Sequence, residues 1–111
     1  MHWIPLRSTE KLEEIILLSE NSPQVIFKHS TRCSISSVAK SRLEKAAAPG
    51  ETPFYYVDLL SYRSLSNSIA DRFSVEHESP QILLIKNGKC VYNESHMGID
   101  MDELKDQLQL N

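Results

Sequence analysis

Cys33 is the residue whose type and position in this sequence best suit chemistry. It follows a β-rich run over residues 25–29 and directly precedes a segment with helical periodicity. Free backbone amides and the positive end of the helix dipole lie at such a helix start, and both stabilise a thiolate. Arg32 adds positive charge next to it. Because a thiolate is the species that attacks a disulfide sulfur, this position favours thiol–disulfide exchange.

Ser36 follows Cys33 by one helical turn, so that the motif is C-x-x-S with Ser34 in its second position. The serine can donate a hydrogen bond to the thiolate, but it cannot form an internal disulfide with Cys33. The motif therefore predicts monothiol exchange, in which Cys33 takes a small thiol from a disulfide and a second thiol releases it. The structural alternative is an inert buried cysteine. Cys90 lies in a strand pattern, and we predict that it is structural.

A second candidate element, Ser79-Pro80, precedes the strand-like run over residues 82–85. A bond before proline accepts the cis form at a cost of only about 0.5–1 kcal/mol. A cis bond would turn the Ser79 backbone outward, where it could pair with an extended substrate. A trans proline would only mark the start of the strand. His77 lies close by in sequence, and it could stabilise the Cys33 thiolate or move a proton.

The elements that must position these residues alternate between helical and strand patterns. Their order is helix, strand, helix, strand, helix, strand, hairpin strand and helix. This order predicts a single α/β domain over residues 1–111, with a mixed four-stranded sheet flanked by helices on both faces. Ser8-Thr9 starts the first helix, and Asn87-Gly88 marks the hairpin turn. The predicted strands cover residues 25–29, 54–57, 82–85 and 90–92, and the second helix covers residues 35–47.

Each predicted helix has apolar residues at helical spacing, and these residues should form the core. They are Leu12, Ile15 and Ile16 in the first helix, Ile35, Val38, Leu43 and Ala46 in the second, Leu65, Ile69 and Phe73 in the third, and Met101, Leu104 and Leu108 in the last.

Composition excludes several classes of protein. The 111 residues, 41% hydrophobic and 24% charged, suffice for one globular domain. A net charge of −3 argues against broad nucleic-acid binding. Two cysteines exclude a disulfide scaffold, and the histidines lack the spacing of a zinc site, so we predict no metal. No run approaches the roughly 20 apolar residues of a membrane span, and the start lacks a signal-peptide pattern, so we expect a cytoplasmic protein with no membrane partner.

Taken together, these residues resemble the thioredoxin superfamily over nearly the whole chain. The resemblance implies a thioredoxin-like fold, to which this chain would add an extra N-terminal helix. Members of that superfamily place a reactive cysteine after the first strand and a cis-proline before the strand that enters the final hairpin. Cys33 and Pro80 stand at those two places. More narrowly, the segments 27–33, 77–81 and 95–96, together with Ser36, resemble the YtxJ-like monothiol bacilliredoxins.

This resemblance implies a bacterial cytoplasmic enzyme that removes bacillithiol, a cysteinyl-glucosamine-malate thiol, from oxidised protein cysteines. The implied partners are bacillithiolated proteins and a low-molecular-weight thiol, with bacillithiol as co-substrate and no bound cofactor. Arg32, Lys28 or the helix start could hold the malate carboxylates. The implied roles are Cys33 as the catalytic residue, His77 as a residue that tunes its thiol, and Arg32, Ser34, Ser36, Ser79 and Pro80 as substrate-binding residues.

The sequence departs from the family pattern at Ser34, where these proteins usually have proline. Serine restores a backbone N–H at the helix start and frees φ. Two other functions remain open. A non-catalytic thioredoxin-fold binding module would have an unreactive Cys33. A glutaredoxin-like iron–sulfur carrier would need the glycine that this sequence lacks after the cysteine. Ser36 argues against a dithiol thioredoxin.

Overall fold

The structure, a computed structural model, describes residues 1–46 and 49–110. None of the helices in these ranges is both long and apolar enough to cross a membrane. The elements in chain order are β1 (Trp3–Pro5), α1 (Thr9–Leu18), β2 (Gln24–His29), α2 (Ser34–Lys45), β3 (Phe54–Asp58), α3 (Arg63–Phe73), β4 (Gln81–Lys86), β5 (Lys89–Ser95), a 3₁₀ turn (His96–Gly98) and α4 (Met101–Leu108).

A mixed sheet with the strand order β1-β3-β2-β4-β5 forms the centre of the fold. β1, β3 and β2 are parallel, whereas β4 is antiparallel to β2 and β5 is antiparallel to β4. The predicted α/β architecture is confirmed, but the predicted count of four strands is wrong. The described chain contains a fifth strand, β1, which pairs with β3 at the sheet edge. With three residues and a terminal proline, β1 is too short to show strand periodicity, and proline is tolerated only at such an edge.

The sheet separates two apolar layers. One layer packs α1 and α3 against β2, β3 and β4, and the other packs α2 and α4 against the opposite face. The core residues predicted in α1 and α3 are buried, as are Met101 and Leu104 of α4. The predicted start of α1 is confirmed, because Ser8 Oγ accepts a hydrogen bond from the backbone N–H of Lys11. Asp100 caps α4 in the same way, by accepting a hydrogen bond from the Glu103 N–H.

The predicted apolar face of α2 is wrong in part. Ile35 and Val38 are 45% and 47% exposed, and the buried positions of the helix are Ser36, Ala39 and Leu43. The helix takes this rotation because small side chains allow it to approach the sheet closely, while the Ser36 hydroxyl finds polar partners there. The helix ends at Lys45, and the predicted last residue, Ala47, lies outside the described residues.

Strand direction determines which loops meet. The carboxyl ends of the parallel strands β1, β2 and β3 lie at one end of the sheet, called here the Cys33 end, because Cys33 follows β2 there. Lys28 pairs with Gln81, so that the end of β2 lies beside the start of β4. The loop that carries Cys33 and the Ser79-Pro80 turn therefore both lie at the Cys33 end of the sheet.

Candidate active site

Cys33 occupies the position just before the first turn of α2. Its backbone is extended, with φ −103° and ψ 120°, and its side chain makes no capping hydrogen bond. The Cys33 N–H donates to the Ser30 carbonyl at 3.1 Å, and the Cys33 carbonyl accepts from the Ser37 N–H at 3.1 Å. The side chain is partly exposed, and the thiol is free. Cys33 is thus accessible at the amide end of a helix, as the sequence predicts.

Arg32 and Ser34 flank Cys33, and both are exposed. Two further exposed side chains of α2, Ile35 and Val38, follow them. Cys33 thus has a charged and a polar neighbour in the chain, and the first two turns of α2 expose two apolar side chains after them. The sequence reasoning missed the apolar pair because it assigned both residues to the core.

Ser36 does not have the hydrogen-bond partner that the sequence suggested. Its side chain is fully buried, and its Oγ lies 2.7 Å from His29 Nδ1. The same oxygen accepts a hydrogen bond from the Ser30 N–H at 3.0 Å. Burial, reinforced by the charge of Lys40, lowers the pKa of His29, which favours a neutral imidazole in this contact. Ser36 thus fastens the loop before Cys33 to the end of β2, and the expected hydrogen bond to the thiolate is replaced by these contacts.

This role predicts that Ser36→Ala destabilises the fold by about 2 kcal/mol, because it leaves a buried imidazole nitrogen and a backbone N–H without their partner. Ser37→Ala is the matched control, since Ser37 is the next residue of the same helix and is exposed. Urea unfolding of the two variants measures the difference. Equal stabilities would show that the contacts of Ser36 contribute nothing to the fold.

Ser79 and Pro80 are joined by a cis peptide bond. Pro80 is buried and its carbonyl accepts a hydrogen bond from the His96 N–H at 2.9 Å. The Ser79 hydroxyl is buried and has no hydrogen-bond partner among the described residues. Of the two alternatives left open by the sequence, the structure therefore has the cis form.

His77 contacts a buried lysine. Its Nδ1 lies 3.3 Å from Lys28 Nζ and 3.3 Å from Ser66 Oγ of α3. Burial lowers the pKa of His77, and the charges of Lys28 and Arg63 lower it further. Lys28 and His29 alternate along β2, so Lys28 faces α3 while His29 faces α2. These contacts of His77 lie on the Lys28 side of the sheet, and its tuning of Cys33 stays a prediction.

Lys28 is fully buried, and burial lowers its pKa from 10.5 to about 8. The sequence left Lys28 open as a group that holds malate, but a ligand in solvent cannot reach a side chain with no exposed surface. The sequence signal for this burial is the position of Lys28 within a β-rich run. All six residues of the strand that this run forms are buried. Within residues 1–46 and 49–110, no three His, Cys, Asp or Glu side chains form a group suited to a metal ion.

Comparison with known proteins adds a family to this geometry. Residues 4–104 match the family described as monothiol bacilliredoxin BrxC. The chain belongs to this family. The resemblance drawn from the motifs around Cys33 and Pro80 is thereby confirmed.

Solved structures agree with this bacilliredoxin assignment. A thioredoxin-fold protein assigned as an oxidoreductase is 34% identical, with a TM-score of 0.83 over 94% of this chain and 91% of that one. Thioredoxin from Fasciola hepatica is 22% identical, with a TM-score of 0.72 and 95% of each chain covered. An N21Q mutant thioredoxin from Halobacterium salinarum is 17% identical, with a TM-score of 0.74 over 97% of this chain and 88% of that one. The last two show the fold alone, whereas the family and the first structure support a thiol redox function.

Proposed function

We propose that this bacilliredoxin is a monothiol reductase that removes bacillithiol from protein mixed disulfides through the Cys33 thiolate. The observation that carries the proposal is the isolation of Cys33 from any second thiol. Position 36, where a dithiol enzyme has its second cysteine, is a buried serine bound to His29.

Cys90 cannot replace that missing thiol. It pairs with Ile85, which in turn pairs with Gln24 at the start of β2, whereas Cys33 follows the other end of that strand. The five steps along the strand from Gln24 to His29 span about 16 Å at roughly 3.3 Å per residue. A disulfide requires Cα atoms within about 7 Å, so Cys33 and Cys90 do not form one in this fold.

The exchange that follows has two steps. The Cys33 thiolate attacks the bacillithiol sulfur of the mixed disulfide, and the bond between that sulfur and the client sulfur breaks. The client cysteine leaves as a thiolate and takes a proton from solvent, while Cys33 now carries bacillithiol. A second low-molecular-weight thiolate then attacks the bacillithiol sulfur, which releases the Cys33 thiolate and a small-molecule disulfide. The client is reduced and the second thiol is oxidised.

The surroundings of Cys33 favour the first step. The thiol is free and partly exposed at the start of α2, where a disulfide in solution can reach it. Arg32 is exposed next to it, and Ile35 and Val38 offer an apolar surface to the client chain. The cis Ser79–Pro80 turn lies at the same end of the sheet, where the Ser79 backbone can pair with an extended client segment.

The test is to mix the reduced protein with a client that carries bacillithiol on one cysteine and to follow both masses. We expect the client to lose the bacillithiol mass while the protein gains it, and peptide mapping should locate the adduct on Cys33. An unmodified Cys33 with a client that keeps its adduct would overturn the proposal and favour a binding module. Absorbance of an iron–sulfur cluster in anaerobically purified protein would also contradict it.

A further inference from the structure

Two adjoining cavities open at the Cys33 end of the sheet. The larger has a volume of about 440 Å³ and is lined by Arg7, Arg63 and several hydroxyl side chains. The smaller, of about 240 Å³, is lined by Thr31, which lies two residues before Cys33. Arg7, together with Tyr62, lines both cavities, so that they form a path from the Cys33 loop to Arg63. The larger volume is within the usual range for small-molecule sites.

The larger cavity, called here the Arg7/Arg63 cavity, is positively charged. Its lining contains two arginines and no acidic residue. Neither arginine forms an ion pair within the part of the chain that the structure describes. Asp58 lines the smaller cavity, but its carboxylate accepts hydrogen bonds from the Leu60 N–H and the Ser61 hydroxyl, both at 3.1 Å. The two guanidinium groups are therefore available to an anion, and their planar fork fits a carboxylate.

Backbone groups add to this charge. The first residues of α1 and α3, Thr9 and Arg63, both line the cavity, so two helices begin at its wall. Ser8 caps α1, whereas Tyr62, the residue before α3, makes no side-chain capping hydrogen bond. The first-turn amides of α3 thus lack a side-chain cap beside Arg63. A cavity lined by two cations at two helix starts favours an anion with more than one negative group.

Cavities at the opposite end of the sheet do not offer the same chemistry. Two of them, each of about 430 Å³, are lined by Lys86, and one of these also by Lys89. The Lys86 ammonium already donates to the carbonyls of Gln107 and Leu108 at 3.2 and 3.1 Å at the end of α4. Its charge stabilises a helix terminus, and this end of the sheet is remote from Cys33.

We propose that the Arg7/Arg63 cavity binds a small dicarboxylate, and that it holds the malate group of bacillithiol while the thiol exchanges at Cys33. The second part rests on the proposed function. Arg7 and Arg63 are then substrate-binding residues that the sequence reasoning did not select. Lys28 is inaccessible for this role, whereas the path lined by Thr31 connects the cavity to the Cys33 loop.

The first experiment needs no thiol chemistry. Reduced protein is titrated at low salt with L-malate, with succinate and with inorganic phosphate, while backbone amide signals are followed by NMR. We expect malate and succinate to shift signals of Thr9, Arg63 and Ser64 and to bind more tightly than phosphate. Arg7→Gln and Arg63→Gln should each weaken malate binding about threefold to tenfold, since each removes one charged hydrogen-bonding group from a partly solvated site. Arg72→Gln, on the same helix with the same loss of charge, should leave malate binding unchanged.

The second experiment starts from Cys33 that carries a cysteamine adduct, which has no carboxylate and leaves the Arg7/Arg63 cavity free. It measures release of this adduct by bacillithiol and by 2-mercaptoethanol, which also has no carboxylate. Arg7→Gln and Arg63→Gln should raise KM for bacillithiol with little change in kcat, and should leave the reaction with 2-mercaptoethanol unaltered. Equal effects on both thiols would overturn the malate assignment. Absent shifts with malate, or phosphate binding as tightly as malate, would overturn the dicarboxylate site. If Cys33 never takes an adduct while malate still binds, the proposed function and the bacillithiol assignment fail together and the dicarboxylate site stands.

Discussion

Cys33→Ala should abolish transfer of bacillithiol from a client protein, whereas Cys90→Ala should retain it. The alanine side chain removes the only thiol at the start of α2 and leaves no group that can attack a sulfur there. Cys90 lies at the other end of the sheet and hydrogen-bonds the Tyr92 carbonyl at 3.3 Å. Burial raises the pKa of its thiol, which keeps Cys90 in the unreactive protonated form. The measurement is the rate of client release, followed by mass.

The contrast between these two variants tests the monothiol cycle directly. Both must first give the same unfolding transition as the parent to within the small effect of losing one sulfur. Transfer by the Cys33→Ala protein would show that another group carries the reaction. Loss of transfer in the Cys90→Ala protein, with Cys33 still able to take the adduct, would mean that Cys90 acts as a resolving thiol. That result would contradict the separation of the two cysteines along β2.

The placement of Cys33 at a helix start could be predicted from sequence because it depends on local rules. A β-rich run followed by a helical pattern places Cys33 at a helix start, and that placement needs no long-range information. The hairpin at Asn87-Gly88 is local in the same sense, and both residues have positive φ in the structure, at 53° and 74°. The resemblance put Pro80 at the place where the superfamily has a cis-proline, but the sequence left the isomer open, and the structure has the cis form.

The partners of the site residues could not be predicted because they depend on packing across the sheet. Ser36 was expected to face Cys33 from its spacing, yet the rotation of α2 turns it to His29. The Arg7/Arg63 cavity is assembled from two segments more than fifty residues apart, which meet because β1 and β3 are neighbours in the sheet. Since β1 itself was not predicted, nothing in the sequence placed Arg7 at the end of the sheet where Cys33 lies.

Lys28→Met should stabilise the protein at pH 7 and weaken the rise of its free energy of unfolding with pH in the alkaline range. The Lys28 ammonium has no exposed surface and no carboxylate partner among the described residues, and its nearest polar contact is the His77 imidazole. A pKa that falls from 10.5 to about 8 on folding corresponds to a penalty of about 3 kcal/mol for holding the charge. Methionine has a similar length and carries no charge. After loss of one hydrogen bond, we expect a net gain of about 2 kcal/mol.

The pH dependence gives this prediction its sign. Below pH 8 the folded and unfolded chains both hold the Lys28 proton, so the whole penalty remains. Between pH 8 and 10.5 the unfolded chain binds more protons than the folded one, and the stability supplied by this group rises with pH. The advantage of Lys28→Met should therefore be largest at pH 7 and shrink toward pH 10. The raised pKa of Tyr92 lowers stability at high pH in both proteins and cancels in the difference. The charge of Lys28 lowers the pKa of the buried Cys90 thiol, so its loss in Lys28→Met also reduces the advantage of that variant at high pH.

Urea unfolding of the parent and of Lys28→Met at pH 7, 8, 9 and 10 measures that difference. Lys89→Met is the control, because Lys89 is exposed and its removal should give the same small change at every pH. A less stable Lys28→Met protein at pH 7 would mean that the ammonium gains more stability from its contact with His77 than it loses by burial. A difference that stays constant with pH would show that Lys28 keeps its ordinary pKa in the fold. Because His77 contacts Lys28, the expected result would also show that the charge nearest to His77 destabilises the fold and is not required to hold it together.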